Sequence, residues 1–119
     1  MYIRNMMGVG VPAETAKAIA GSCDAAVAAA GSGISDATVL KAANNLVASG
    51  SGGVKVPETA EVGDRFHIGN GSSGTLAVFP HSSAAKINGG SAGAAVNVSQ
   101  NKGITLTRVG PLDWIATVE

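Results

Sequence analysis

His67-Ile68-Gly69-Asn70-Gly71-Ser72-Ser73-Gly74-Thr75-Leu76-Ala77-Val78-Phe79-Pro80 is the stretch that decides the fold of this chain. Gly69 to Gly74 spell G-x-G-x-x-G, the spacing of a dinucleotide-binding turn. Such a turn needs a strand before it and a helix after it, because the phosphate rests on the unpaired N–H groups of the helix N-terminus. The strand is available in Asp64–Ile68, but Thr75–Pro80 alternates, carries β-branched and aromatic side chains and ends in proline. No helix starts there. Asn70-Gly71 reads instead as a tight hairpin turn, since both residues tolerate positive φ. The glycines turn a β-chain, and no nucleotide site is expected.

Outward from this point the pattern continues. Short apolar or alternating runs are punctuated by Gly, Ser, Asn and Pro every ten residues or so, predicting strands near 35–40, 44–49, 53–57, 65–69, 75–80, 94–99, 103–109 and 113–118. Val54 and Val56 share a face, as do Phe66 with Ile68, Leu76 with Val78, Ile104 with Leu106, and Trp114 with Ala116 and Val118. Phe79, Val109 and Ile115 fall on the opposite faces of their strands. Two-sided apolar character in short strands fits a sheet whose outer face meets another subunit. Upstream, Pro12 can open a helix over Ala13–Ala20 that stops at Gly21, and its one large residue, Ile19, must pack on something. The following Cys23–Gly31 run fits either an extension of that helix or the first strand. Residues 1–11 hold seven apolar side chains without helical period, including Tyr2, Ile3, Met6, Met7, Val9 and Val11. They read as a docking arm. The expectation is an all-β fold, an antiparallel sandwich or barrel of about eight strands. Residues 1–24 form an N-terminal arm and short helix, and residues 25–119 the β-domain.

Composition narrows the function. Eight basic residues balance eight acidic ones, so nothing marks the chain for nucleic acid or an anionic membrane. Only 13% of residues are charged and 3% aromatic, and Val, Ile, Leu and Phe number 13, 7, 5 and 2. A chain with so few charges and so little bulk is expected to be covered by copies of itself or by a partner. One cysteine, Cys23, excludes an intrachain disulfide and a multi-cysteine zinc site. No apolar run reaches the roughly 18 residues of a membrane span. With no signal-peptide core at its start, the chain is expected to stay in the cytosol or leave it within a larger assembly.

Chemistry has few footholds. His67 and His81 are the only histidines, and pairing of the flanking strands would bring them close, but no Cys, Asp or Glu stands beside them at ligand spacing. The acids are scattered, and the serines lack a nucleophile elbow. Arg65, Lys102 and Arg108 read as isolated charges that discourage stray strand pairing. No catalytic residue, metal or cofactor is expected, and the chain does not read as an enzyme.

The order of landmarks adds a resemblance. Gly53-Val54-Lys55-Val56-Pro57 leads to Val62-Gly63-Asp64-Arg65, then Ile68-Gly69-Asn70, Leu76-Ala77-Val78-Phe79-Pro80, Ile87-Asn88-Gly89, Ala95-Val96-Asn97-Val98 and a late Trp114. This run, over about residues 26–118, resembles a β-domain of structural proteins of tailed bacteriophages. That domain reads G-V-x-L-P, G-D-x-x-x-V-x-N, L-x-V-Y-P, I-N-G, a V-x-L strand and a late Trp. Val56 stands for the usual leucine and Phe79 for the usual tyrosine, and the Pro80–Ile87 segment is slightly long. The resemblance implies a virion component made in the host cytoplasm, usually a homotrimer, decorating the capsid or forming part of a fibre or tail. The expected partners are then other copies of the chain and the major capsid protein. Docking falls to Tyr2, Ile3, Met6, Met7, Val9 and Val11, and oligomer contacts to Ile19, Phe79, Val109 and Ile115.

Overall fold

The computed structural model describes residues 22–118, so the expected arm, the helix over Ala13–Ala20 and Ile19 lie outside the described residues. Among the described residues ten strands run in chain order: β1 Cys23–Ala29, β2 Thr38–Val39, β3 Asn44–Gly50, β4 Gly52–Lys55, β5 Arg65–Asn70, β6 Leu76–Phe79, β7 Lys86–Ile87, β8 Val96–Val98, β9 Gly103–Gly110 and β10 Asp113–Val118. The described chain is all-β. Each of the eight expected strands has a counterpart here. The undecided Cys23–Gly31 run resolves as a strand, β1, over Cys23–Ala29.

The strands alternate between two sheets. One has the order β1-β3-β5-β9-β10-β7, the other β2-β4-β6-β8. Through the first six strands the chain crosses from the six-stranded sheet to the four-stranded sheet and back, so each strand pairs with one from the next turn of chain. Cys23, Asn44 and His67 stand abreast, which makes successive turns 21 (23 to 44) and 23 (44 to 67) residues long. Strands stacked this way run in the same direction: β1, β3 and β5 are parallel, as are β2, β4 and β6. The winding is solenoid-like and ends in an antiparallel cap, with β8 against β6, β9 against β5 and β10 against β9.

This corrects the expected antiparallel sandwich or barrel. Alternation along a strand reveals which side chains face the core but not which strand lies alongside. The Asn70-Gly71 hairpin is corrected for the same reason: β5 and β6 belong to different sheets, and neither residue has positive φ.

Glycine and serine runs mark where the chain leaves the six-stranded sheet: residues 31–33, 50–53 and 71–74. The first two corners nest. A Cβ on Gly50 would lie 2.1 Å from the Ala29 carbonyl oxygen and one on Gly52 2.1 Å from that of Gly31, and both glycines have positive φ (85° and 111°). Only glycine fits this approach. Gly53 is crowded by Phe79, whose ring edge would stand 2.7 Å from an added Cβ, so the aromatic ring on the outer face covers the bare backbone of the neighbouring strand.

Inward residues of both sheets form one core. Val27, Val47, Phe66, Ile68, Ile104, Leu106 and Trp114 come from the larger sheet, and Val54, Leu76, Val78 and Val98 from the smaller. Trp114, 1% exposed, is its largest member and packs against Phe66 with ring centroids 6.0 Å apart.

At the third corner a side chain replaces the backbone turn. Asn70 is 2% exposed; its Nδ2 donates to the carbonyls of Gly74 (2.7 Å) and Val98 (2.9 Å). Its Oδ1 accepts from the Ser72 N–H (3.0 Å) and hydroxyl (2.6 Å). One amide thereby shapes the corner and ties it to β8. Asn70→Ala leaves buried donors and acceptors without partners and is expected to destabilise the fold by about 3 kcal/mol. Urea unfolding measures it, with Ser72→Ala, which removes only a hydroxyl, expected to cost about 1 kcal/mol.

Candidate functional site

Two features concentrate chemistry or unsatisfied surface: the outer face of the six-stranded sheet and a polar cluster at its β9–β10 end. Alternation along β9 and β10 sends Ile104, Leu106 and Trp114 inward, and so sends Val109 and Ile115 outward. They are 49% and 52% exposed, as the sequence pattern places them. Val118, grouped with Trp114 in the sequence, is 48% exposed: β7 pairs with β10 only at Asp113 and Trp114, so Val118 lies past the end of its outer neighbour. Phe79 is half-buried, its ring resting over Gly53.

Val62 and Leu112 join Val109 and Ile115 as large exposed apolar residues at this end. Gly63 donates its N–H to the Arg108 carbonyl and Arg108 donates to the Asp64 carbonyl, which sets Val62 beside the β9 backbone. Leu112 sits in the turn between β9 and β10. Sequence reading missed both. Neither lies in a strand, so no periodicity points to it.

Arg108 builds this end of the molecule. Its Nε donates to the Gly110 carbonyl (3.1 Å), one terminal nitrogen to the Ala60 carbonyl and the other to the Pro111 carbonyl (2.6 Å). The guanidinium lies 6.0 Å from the Trp114 ring centroid. A residue read as a stray edge charge is thus a staple. It fastens the 57–64 segment and the β9–β10 turn, the two pieces that carry Val62 and Leu112.

Beside it, His81 is 7% exposed. The Trp114 indole N–H donates to His81 Nδ1 over 3.0 Å. In the neutral ring the proton therefore sits on Nε2, and the Arg108 nitrogen 3.4 Å from Nε2 meets an N–H, not a lone pair. Arg108 is held by the three carbonyls, and His81 is its neighbour. Burial, and then the Arg108 charge, lower the His81 pKa from its ordinary value of 6.5, with Glu58 acting in the opposite sense.

The histidines are not brought together. His67 lies on the exposed face of β5, with Nδ1 2.9 Å from the Thr105 hydroxyl, while His81 faces the core. Around His67 the outer face dips into an open depression lined in part by Cys23, Asp24, Asn44, Leu46 and Thr105. Among the described residues no group of three or more His, Cys, Asp or Glu is placed to hold a metal ion, and no helix is long and apolar enough to cross a membrane. The G-x-G-x-x-G glycines lead from β5 into β6, a strand and not a helix, so the phosphate-binding arrangement is missing. Tyr2, Ile3, Met6, Met7, Val9, Val11 and Ile19 lie outside the described residues.

Set against protein-family models and against curated proteins, the chain matches none.

Arg108→Lys keeps the charge but cannot fork to three carbonyls. It is expected to lower stability by about 2 kcal/mol, read by urea unfolding, and to raise amide exchange in residues 60–64 ahead of the core strands.

Proposed function

We propose that this chain is a structural protein of a tailed-bacteriophage virion, a capsid decoration protein that binds the head surface as a homotrimer. The observation that carries the reading is the exposed apolar group Val62, Val109, Leu112 and Ile115 at the β9–β10 end of the sheet, where Arg108 fastens the two segments that carry Val62 and Leu112. Surface of this kind is what copies of a chain bury against one another. The landmarks shared with phage β-domains also have jobs in this fold. Val54, Val78 and Trp114 fill the core and Asn70 shapes a corner. Asn88 exchanges side-chain hydrogen bonds with the Ala116 backbone.

The mechanism follows from linkage. A protein that binds the assembled lattice and not free subunits shifts the equilibrium towards the intact shell. Three copies joined through the β-domain present three docking arms, so each contact with the major capsid protein can be weak while the whole holds. The arms are residues 1–11, with Tyr2, Ile3, Met6 and Met7 as adaptable apolar contacts. No catalytic, nucleic-acid or membrane role enters this reading, and the site of action is the virion.

A second reading, a head-fibre, tail-spike or tail accessory module, draws support from the winding. Among the described residues β1 and β2 end their sheets, and a solenoid can be lengthened by stacking further chain on such edges.

Two experiments test the proposal. Ile115→Lys places a charge in the proposed contact and is expected to convert a trimer to monomers in sedimentation velocity with circular dichroism unchanged; a stable trimer would remove this face from the interface. Deleting residues 1–11 is expected to abolish co-sedimentation with capsids lacking this protein while the β-domain stays folded. Undiminished binding by the truncated chain would reject the docking arm, and a full-length trimer that ignores capsids would favour the fibre or tail reading.

A further inference from the structure

We propose that His81, Trp114 and Arg108 form a proton-operated latch that holds the β9–β10 end of the fold closed at neutral pH and releases it in mild acid. The inference stands on the folded chain alone and is independent of the virion reading.

The geometry leaves His81 no comfortable place for a second proton. Its Nδ1 lone pair is occupied by the Trp114 indole N–H at 3.0 Å. Its Nε2 edge faces the Arg108 guanidinium at 3.4 Å. A proton taken from solvent onto Nδ1 sets N–H against N–H on the Trp114 side and places a cation beside a cation on the Arg108 side. The charged groups around the ring are few. Arg108 reaches it from β9, the uncharged indole of Trp114 from β10, and Glu58 from the segment after β4; of the two charges, only Glu58 favours the imidazolium, and it is outweighed.

Arg108 has more freedom to yield than Trp114. Trp114 is locked in the core at 1% exposure, whereas Arg108 reaches the Pro111 carbonyl at an exposed contact. Repulsion from an imidazolium therefore pushes the guanidinium outward, away from the Ala60 and Pro111 carbonyls it staples. Besides the packing of Ala60 in the core, the 57–64 segment then keeps Ala60 N–H to Pro57, Asp64 N–H to Glu61 and Glu61 N–H to the Asp64 carboxylate, together with its backbone pair to Arg108. Val62 and Leu112 ride on the two released pieces. Acid thus loosens the apolar end of the sheet while the wound core stays intact.

The sign is fixed by linkage. The folded chain holds the His81 proton less tightly than the unfolded chain does, so the unfolded state binds more protons just below pH 6.5. The latch is fully closed above that pH and opens as pH falls through the lowered His81 pKa.

Trp114 is the only tryptophan, so its fluorescence reports the latch without a label. Titrating the full chain from about pH 8 to about pH 5 is expected to quench Trp114 emission as the imidazolium forms. Amide exchange of Ala60, Gly63 and Asp64, corrected for its intrinsic pH dependence, should rise on the order of tenfold as the segment opens locally. His67→Gln is expected to leave both curves in place. His81→Asn, which retains an acceptor near the Nδ1 position and cannot titrate, is expected to flatten both. An acid transition in His81→Asn equal to that of the parent chain overturns the proposal. Should that variant fail to fold, the imidazole resonances of the parent chain decide: a His81 that takes up its proton with exchange at residues 60–64 unchanged overturns it equally.

Discussion

The nesting of the glycine corners is the constraint on which the architecture rests. Gly50 and Gly52 bring one turn of chain so close to the preceding one that its carbonyl oxygens occupy the space of a Cβ. With the corners in contact, the strands on either side fall into fixed register, Ala29 beside Gly50 in one sheet and Thr38 beside Val54 in the other. Parallel pairing follows without helices to carry the crossovers, because the opposite sheet is itself the crossover. Each sheet then offers its inner face to the other. With three aromatic residues in the strands among the described residues, the chain closes a core in this way, largely from valine, isoleucine and leucine stacked in rows.

What the sequence disclosed and what it concealed divide along a physical line. Period-two alternation is a local property, so the strands and their inward faces were legible from Val54 to Trp114. Partner choice is not local. Leu76-Ala77-Val78-Phe79 alternates identically whether it turns back beside His67 or crosses to a second sheet. Asn70-Gly71 misled because asparagine serves turns in two ways, through positive φ and through its side chain, and here the side chain does the work. Alanine hid β1, since Ala25, Ala26 and Ala28 suit helix and strand alike. A signal for the winding was present in the recurrence of glycine–serine corners at 31–33, 50–53 and 71–74, too short and too common in composition to stand out as a repeat.

The exposed surface shows the same division. Val109 and Ile115 were legible because their strands alternate, and Val62 and Leu112 were not, because loops carry no period. Arg108 and His81 stand 27 residues apart, and only the fold reveals that the arginine fastens two segments past a buried imidazole. An isolated charge in a nearly neutral chain looks dispensable in sequence. In the structure it is a side chain that joins the core, the loop and the exposed apolar end.

That joining has a consequence for how the molecule relates to its surroundings. The wound part of the fold is held by ladders and packed rows. The cap is different: at its β9–β10 end, one guanidinium fastens two segments that carry exposed apolar side chains, and that guanidinium abuts a buried imidazole whose pKa lies below its ordinary value. The solenoid-like body carries the packed core, and the end that bears Val62 and Leu112 is the part on which a proton at His81 acts.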